Sequence, residues 1–314
     1  MKNIFLFWGI AFFLFSCNGS KETKELKAAK SNLTMYKLKG KIKYLTEASY
    51  HAIDSSGHAV KTDLRRLQNW IFDEKGNFTE RKSKRVGDSV AQFYICKYDT
   101  GEHLLKDSNN EFMGNSWTVY IYDAKGNRIE RDQYYSDSGK SKRGVTELYK
   151  VDERGYKIEE DCYWGNKDSL NYKAYIKNNE QGQEIEKATF DDKGKPFIKV
   201  VRVYDAKGNQ VEYQMYNNHD SLERRETFKY DDKDNEIEWR TYNSTGKLES
   251  KTTVKYSDKG NISESEMVTE RGSSSDHYTN HYDNFDKEGN WLKKVSMANG
   301  KPEIIEERVI EYYQ

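Results

Sequence analysis

The feature that most constrains the fold of this sequence is a turn motif that recurs at nearly even intervals. Its clearest copies read Phe72-Asp73-Glu74-Lys75-Gly76-Asn77, Tyr122-Asp123-Ala124-Lys125-Gly126-Asn127, Tyr204-Asp205-Ala206-Lys207-Gly208-Asn209 and Phe285-Asp286-Lys287-Glu288-Gly289-Asn290. Weaker copies centre on Gly101, Gly155, Gly182, Asp234 and Gly260, and successive centres lie 25 to 29 residues apart. Nine units at such spacing predict a repeat architecture.

A second turn follows each first turn after 11 to 13 residues, so that a unit reads strand, turn, strand, turn. An Asp at the start of such a turn can accept a hydrogen bond from its own backbone two residues on, and Gly tolerates positive φ. We therefore interpret Asp123 and Asp205 as turn formers. Calcium binding is the alternative, but calcium takes six to eight oxygen ligands, and these turns lack the dense Asp spacing of known calcium loops.

The segments between turns alternate in polarity. Val211, Tyr213 and Met215 are separated by polar residues, a period of two that indicates half-buried strands. Aromatic residues make up 14% of the chain and include 24 tyrosines, which suit such surfaces. We predict an all-β fold, an antiparallel β-hairpin repeat of nine units with about 26 residues per unit. About 20 strands would make a flat sheet about 90 Å wide, so an extended, curled or rolled meander sheet is expected.

The N-terminus indicates export. A basic start, Met1-Lys2-Asn3, precedes a short apolar run over residues 4–15, as in a secretion signal. Leu14-Phe15-Ser16-Cys17 resembles the lipobox of bacterial lipoproteins, which implies cleavage before Cys17 and a lipid on its thiol. An ordinary signal peptide with an incidental cysteine is the alternative. The predicted organisation is a signal peptide at 1–16, the lipidated Cys17 and a flexible tether at 17–35, and a β-repeat domain at 36–314.

The Tyr-Asp-x-x-Gly-Asn motif resembles the YD repeat of Rhs-type bacterial surface proteins. Leu38-Lys39-Gly40-Lys41-Ile42-Lys43 and the ending Ile310-Glu311-Tyr312-Tyr313 resemble uncharacterised lipoproteins of the Bacteroidetes. The resemblance is specific for architecture and weak for function. Rhs proteins roll such repeats into a shell around a toxin. The unit here is longer and there are nine, so we do not expect an enclosing cage.

Charge and cysteine content exclude several classes of function. The chain has 52 basic and 52 acidic residues, which gives no footprint for a nucleic-acid partner. In a simple meander Cys96 and Cys162 lie five strands apart, or about 24 Å, too far for a disulfide. We therefore predict two unpaired, half-buried thiols. His277 and His281 would share a strand face at about 13 Å, too far apart to share a metal. We expect neither catalytic residues, nor a metal, nor a cofactor.

Two sets of residues are candidates for surface roles. Trp164 and Trp291 flank turns, so we expect them to be the most exposed tryptophans and candidates for ligand contact, although tryptophans more often fill the inner face of a sheet. Ser89, Ser169 and Ser221 each follow an Asp and precede an apolar residue, which resembles the O-glycosylation sequon of the Bacteroidetes. Simple repetition of a good turn is the equal alternative.

The favoured function is a non-catalytic cell-envelope lipoprotein that binds, displays or supports. It would be anchored to the outer membrane by its lipid, on the periplasmic or the cell-surface face. Its partner could be an envelope protein or a glycan, and the sheet edges near Tyr44 and Val309 are possible sites of strand addition. The alternatives are a polysaccharide-binding accessory lipoprotein and an immunity-type partner of a toxin.

Overall fold

Twenty strands joined by hairpins make up the part of the chain that the structure describes. A computed structural model describes residues 33, 36–110, 115–137, 139–165, 167, 169–269 and 275–314. The first ten strands are β1 (Ile42–Ser55), β2 (His58–Phe72), β3 (Phe78–Arg85), β4 (Gln92–Tyr98), β5 (Leu104–Asn109), β6 (Ser116–Tyr122), β7 (Arg128–Asp137), β8 (Lys140–Val151), β9 (Lys157–Trp164) and β10 (Leu170–Asn178). The second ten are β11 (Glu184–Asp191), β12 (Pro196–Tyr204), β13 (Gln210–Tyr216), β14 (Leu222–Tyr230), β15 (Glu236–Asn243), β16 (Leu248–Tyr256), β17 (Ile262–Thr269), β18 (Ser275–Phe285), β19 (Trp291–Ala298) and β20 (Lys301–Tyr312).

Each strand pairs antiparallel with the next, and β20 pairs antiparallel with β1. The register between the first and last strands runs from Ile42↔Tyr312 to His51↔Ile304. The all-β antiparallel hairpin architecture predicted from the sequence is confirmed. The expected extended, curled or rolled meander sheet is wrong, because its two ends join and the sheet closes into a barrel. The proposed strand-addition edges are also wrong, since Tyr44 pairs with Glu311 and Thr46 with Val309.

The first turns of the repeat are built by their acidic residue, as the sequence predicted. Asp123 accepts hydrogen bonds at Oδ1 from the backbone N–H groups of Lys125 (2.8 Å) and Asn127 (2.9 Å). Its Oδ2 accepts a third from the Asn127 side chain at 2.9 Å. Asp205 repeats the three bonds with Lys207 and Asn209. These bonds satisfy backbone groups that strand pairing leaves open at the turn.

Tyrosines that precede the first turns form a series of hydrogen bonds at the end of the barrel where these turns lie. The hydroxyl of Tyr230 donates to the carbonyl of Gln210 at 2.9 Å, which joins the two open ends of the β13–β14 hairpin. Equivalent bonds run from Tyr98 to Phe78, Tyr122 to Leu104, Tyr204 to Glu184, Tyr256 to Glu236 and Tyr282 to Ile262. Where the motif opens with tyrosine, that residue therefore contributes a hydrogen bond in addition to apolar area, and near Phe285 the bond is made by Tyr282 instead.

The first turns lie side by side at one end, which we call the first-turn end, and the second turns form the opposite, second-turn end. Neighbouring first turns contact one another, as when Gln183 Nε2 donates to the carbonyl of Gly208 at 2.8 Å. Asn290 exchanges two hydrogen bonds with the backbone of Lys39, so the chain just before β1 completes this ring.

Leu33 and residues 36–38, which precede β1, lie in the interior of the barrel at the first-turn end. Leu33 and Leu38 are buried in a cluster that includes Trp70, Phe72 and Cys96. Between them, Lys37 donates from Nζ to the carbonyl of Gly260 at 2.8 Å. Gly260 follows β16 and Cys96 lies on β4, eight strands away through the β20–β1 junction. Eight strands span about 38 Å of outer surface, and six residues reach about 20 Å. The segment therefore lies inside, and the residues that face it line the interior.

The outward-facing positions carry cross-strand ion pairs. Lys150 pairs with Glu159 at 2.7 Å, Lys177 with Glu186 at 2.8 Å, Lys229 with Glu238 at 2.9 Å and Lys255 with Glu264 at 2.9 Å. The lysine side chains of these pairs are 63 to 70% exposed. No helix in the described part of the chain is long and apolar enough to cross a membrane.

Candidate functional site

The interior of the barrel has two different halves. On β1 to β10 many inward-facing side chains are buried, among them Leu45, Trp70, Cys96, Tyr149 and Ala174. On β11 to β19 nearly all inward-facing side chains are half-buried, which leaves part of each surface accessible to solvent. A closed barrel of 20 strands has a radius of roughly 15–20 Å when circular, wide enough to enclose water. The accessible inner wall is the surface where a ligand can be held.

A network of buried charges stiffens the first half. Tyr120 donates to Asp107 at 2.7 Å, and Arg131 donates to Glu147 at 2.9 Å. Tyr172 and Lys187 both donate to Oε1 of Glu160, at 2.7 Å and 3.0 Å.

Charge pairing decides the ionisation of these carboxylates. Burial raises the pKa of Glu160, but Lys187 and Lys157 outweigh it and hold that pKa below its ordinary value. Burial raises the pKa of Asp107 in spite of the bond from Tyr120. Because these carboxylates are engaged by neighbouring strands, the network holds the sheet together.

Neutral polar side chains line the accessible half. Across β16 to β19 they form what we call the inner polar row, defined by Ser250, Thr252, Ser265, Asn280 and Ser296. Ser296 donates to Asn280 Oδ1 at 2.7 Å, and Asn280 Nδ2 donates to the carbonyl of Ile262 at 3.1 Å.

Aromatic side chains border the inner polar row. Trp239 is directly opposite Thr252, and Tyr278 is directly opposite Ser265. Hydroxyl and amide groups beside aromatic faces can bind a neutral, hydroxyl-rich molecule, since hydrogen bonds orient it and the rings contact its apolar faces.

Two carboxyl groups in the second half of the barrel have raised pKa values. Burial, with a contribution from nearby Glu226, raises the pKa of Glu236 to about 7. Burial likewise raises the pKa of Glu226, although Arg224 opposes the shift. The interior near β14 and β15 therefore gains negative charge as the pH rises through neutrality.

The two cysteines among the described residues face the packed half of the interior. Cys96 and Cys162 are free and five strands apart, which confirms the prediction that they are unpaired, but they are 7% and 3% exposed, so the expectation that they are half-buried is wrong. Burial and the charge of Asp107 raise the pKa of the Cys96 thiol to about 12, so it is a poor nucleophile. Within the described ranges, no group of three or more His, Cys, Asp or Glu side chains is arranged to hold a metal ion.

A shallow recess of about 830 Å³ lies at the first-turn end, between the turns that precede β11 and β13. Two of its lining side chains are already engaged, Gln183 with the carbonyl of Gly208 and Arg202 with Glu184. We therefore favour the inner polar row over this recess.

The structure separates the two predicted ligand-contact tryptophans. Trp164 is 56% exposed at the second-turn end, as expected. Trp291 is 8% exposed and lies under the guanidinium of Arg308, 3.4 Å from its ring centre, so the expectation that it is exposed is wrong. Trp291 is buried because it begins β19 facing the interior beside the β20–β1 junction. Ligand contact at Trp164 stays a prediction.

The other predicted sites are accessible or lie outside the described residues. Ser89, Ser169 and Ser221 are exposed in second turns, and their glycosylation stays a prediction. Cys17 lies outside the described residues. The inner polar row was missed because a period of two separates the two faces of a strand but does not tell which face is enclosed.

Comparison with known proteins identifies no family. No model of a known protein family matches the chain, and no curated protein matches it. Among solved structures, it is similar to the crystal structure of TcdB2-TccC3-TEV at 10% identity and a TM-score of 0.29, covering 81% of this chain and 15% of that one. It is also similar to porin-like proteins from Bacteroides uniformis ATCC 8492 (9% identity, TM-score 0.36, 86% and 98% covered) and Bacteroides vulgatus ATCC 8482 (11%, 0.29, 87% and 98%).

These scores are too low to carry a functional conclusion. Membership of the YD-repeat proteins therefore stays a prediction. The closed antiparallel barrel is compatible with an outer-membrane location.

Proposed function

We propose that this protein is a non-catalytic lipoprotein of the outer membrane that binds a neutral, hydroxyl-rich ligand inside its barrel. An oligosaccharide is the class of ligand with this chemistry. The observation that carries the proposal is the inner polar row, where hydroxyl and amide groups beside Trp239 and Tyr278 stay half-buried in a wall of the interior. A purely structural core would exclude water from these positions and use larger apolar side chains.

The charged outer surface of the barrel favours attachment through lipid on Cys17 over strands that lie in the bilayer. A lysine or arginine at the midplane of a bilayer costs about 2–4 kcal/mol on the lipid face of a barrel. The outward lysines Lys150, Lys177, Lys229 and Lys255 are spread around the sheet and are all more than half exposed. We infer that the barrel is surrounded by water and that acyl chains at Cys17 attach it to the membrane. Because Leu33 packs at the first-turn end, the tether would leave there, and the second-turn end would face away from the bilayer.

Ligand binding can be tested with two neighbouring residues that face opposite ways. Thr252 faces the interior and Thr253 the outside of β16, and both are half-buried. We expect that titration calorimetry with soluble starch, xylan and chitin oligosaccharides detects binding of at least one of them to the mature protein. Thr252→Trp places a large ring over the inner polar row and should abolish that binding, whereas Thr253→Trp should retain it. Equal oligosaccharide binding by the two variants, or no binding to the wild-type protein, would contradict the proposal.

The anchor is tested separately. Cys17→Ser should move the protein from the membrane fraction to the soluble fraction of the native host. A variant that stays membrane-bound would show that lipid on Cys17 is not the attachment.

A further inference from the structure

The β1–β2 hairpin is longer than the strands on either side of it. β1 has 14 residues and β2 has 15, whereas β3 has 8. Pairing of β1 with β20 ends at His51↔Ile304, and pairing of β2 with β3 ends at Arg66↔Arg85, followed by a bond from Val86 N–H to the Arg65 carbonyl. Residues 52–64 therefore extend beyond both neighbours at the second-turn end. We call this part of the hairpin the arm.

The arm is well formed although it stands alone. Ala52↔Lys61, Ile53↔Val60, Asp54↔Ala59 and Ser55↔His58 are paired across it. Ser56 and Gly57 have φ angles of 55° and 81°, which match a two-residue turn of the type that suits the twist of a hairpin. At its base, Lys61 donates to Glu307 at 2.7 Å and lies over the ring of Tyr50 at 4.6 Å. The arm is therefore held in a fixed orientation against β20.

Among the residues that the structure describes, no strand lies beside the edge of β2 in the arm. Over residues 58–64 the backbone groups that point away from β1 have no ladder partner along about 23 Å of strand. Large apolar side chains are exposed on this edge and in the neighbouring β3–β4 turn: Val60 is 44% exposed and Leu64 38% on the edge, and Val86 and Val90 are each 66% exposed in the turn. Each of the other strands of the described sheet also has a neighbour on each side, and an exposed edge beside apolar surface is a template for another strand.

Charge selects the occupant. Arg65, Lys84 and Arg85 are exposed at the base of the open edge, against the carboxylates of Asp63 and Asp88, so this surface is positive overall, whereas Lys61 is engaged by Glu307. A second copy of the chain, pairing β2 with β2, would bring two positively charged surfaces together, and like charges opposite one another destabilise a sheet. An acidic strand would instead be attracted.

We propose that the open edge of β2 in the arm binds an extended, acidic segment of a partner protein, in which carboxylate and apolar residues alternate, by adding it as a strand. The segment supplies hydrogen bonds to residues 58–64, and its apolar residues cover Val60, Leu64, Val86 and Val90. This surface is separate from the inner polar row, so the two proposals stand or fall independently.

Hydrogen exchange of the mature protein tests the proposal, with a synthetic peptide that alternates glutamate and valine as the probe. We expect the peptide to slow exchange at residues 58–64, and a matched lysine–valine peptide to leave it unchanged. Val60→Glu should abolish protection by repulsion. Val203→Glu is the matched control, because Val203 is 45% exposed on β12, which is paired on both sides. Ala59→Pro should also abolish it, because Ala59 follows the turn-flanking pair Ser55↔His58 and its N–H therefore points away from β1, to the open edge.

Three outcomes would overturn the proposal. They are equal protection by the lysine–valine peptide, unchanged protection in Val60→Glu, and no protection by the glutamate–valine peptide. Protection of residues 58–64 that rises with protein concentration in the absence of peptide would identify a second copy as the occupant and would equally reject an acidic partner. Sedimentation velocity on the same samples measures that self-association directly.

Discussion

Arg308 donates from Nε to Oε2 of Glu47 at 2.9 Å, across the junction where the last strand pairs with the first. The two residues are separated by 261 positions in the sequence, and their side chains are 13% and 9% exposed. The guanidinium also covers the ring of Trp291. A buried, hydrogen-bonded ion pair thus sits at the one strand pairing that no hairpin connects.

Removing either partner of this pair should destabilise the barrel strongly. Glu47→Ala leaves an uncompensated guanidinium in a buried site, for which we expect a loss of about 3 kcal/mol in the free energy of unfolding. Lys177→Ala breaks the exposed pair with Glu186 and is the control, with an expected loss of about 0–1 kcal/mol. Urea unfolding followed by tyrosine fluorescence measures both. Equal losses in the two variants would mean that the Glu47–Arg308 pair does not stabilise closure.

The sequence predicts the hairpins because the interactions that form them are local. The bonds of Asp123 reach two and four residues along the chain, and the alternation of Gln210 to Tyr216 is visible within one strand. Closure depends instead on β1 meeting β20, which share no turn and no repeat position. A period of two separates the two faces of a strand but does not tell which face is enclosed. The sequence therefore could not assign Trp291 or the inner polar row to the interior.

Leu33 and Lys37 illustrate a second limit of sequence reasoning. Leu33 falls within the predicted tether, whose composition is polar, yet it is 6% exposed in the main apolar cluster. Lys37 bonds to a carbonyl 223 residues away. A single leucine in a polar stretch carries no periodic signal, and only the assembled interior supplies the surface that buries it.

Because of the turn carboxylates, the free energy of unfolding should decrease as the pH falls into the acid range. Hydrogen bonds from the Asn127 side chain and backbone lower the pKa of Asp123 below its ordinary value. A group with a lowered folded pKa contributes stability that is present above its unfolded pKa and is lost as the pH falls through the folded value. Asn179 makes the same two backbone bonds with an amide oxygen. Asp123→Asn should therefore keep most of the stability at neutral pH and reduce its acid dependence, whereas Asp123→Ala should lose both. Thermal unfolding from neutral pH to about pH 3 tests this, and an unchanged acid slope in Asp123→Asn would contradict it.

Glu236 should have the opposite effect on the pH dependence of stability. Its folded pKa of about 7 lies above its ordinary value of 4.5, so the folded protein binds more protons than the unfolded chain between those values. Stability contributed by the protonated form is complete below the unfolded pKa and is lost as the pH rises through the folded pKa. We expect Glu236→Gln to be more stable than the wild-type protein near pH 8, by on the order of 2 kcal/mol, and to differ little near pH 5. Glu153→Gln, in an exposed turn, is the control. A constant difference at all pH values would show that Glu236 does not titrate in this range.

The two interior cysteines should be unreactive until the barrel unfolds. Cys96 and Cys162 are 7% and 3% exposed, and burial raises the pKa of both thiols. Because the thiolate is the reactive form, a disulfide reagent at neutral pH should label neither residue of the native mature domain and both residues in concentrated urea. Ser89→Cys places a thiol in an exposed turn and should react at once, which shows that the reagent is active. Rapid labelling of native Cys96 would mean that water reaches the packed half of the interior. A disulfide between Cys96 and Cys162 in non-reduced protein would contradict the five-strand separation that the closed barrel imposes.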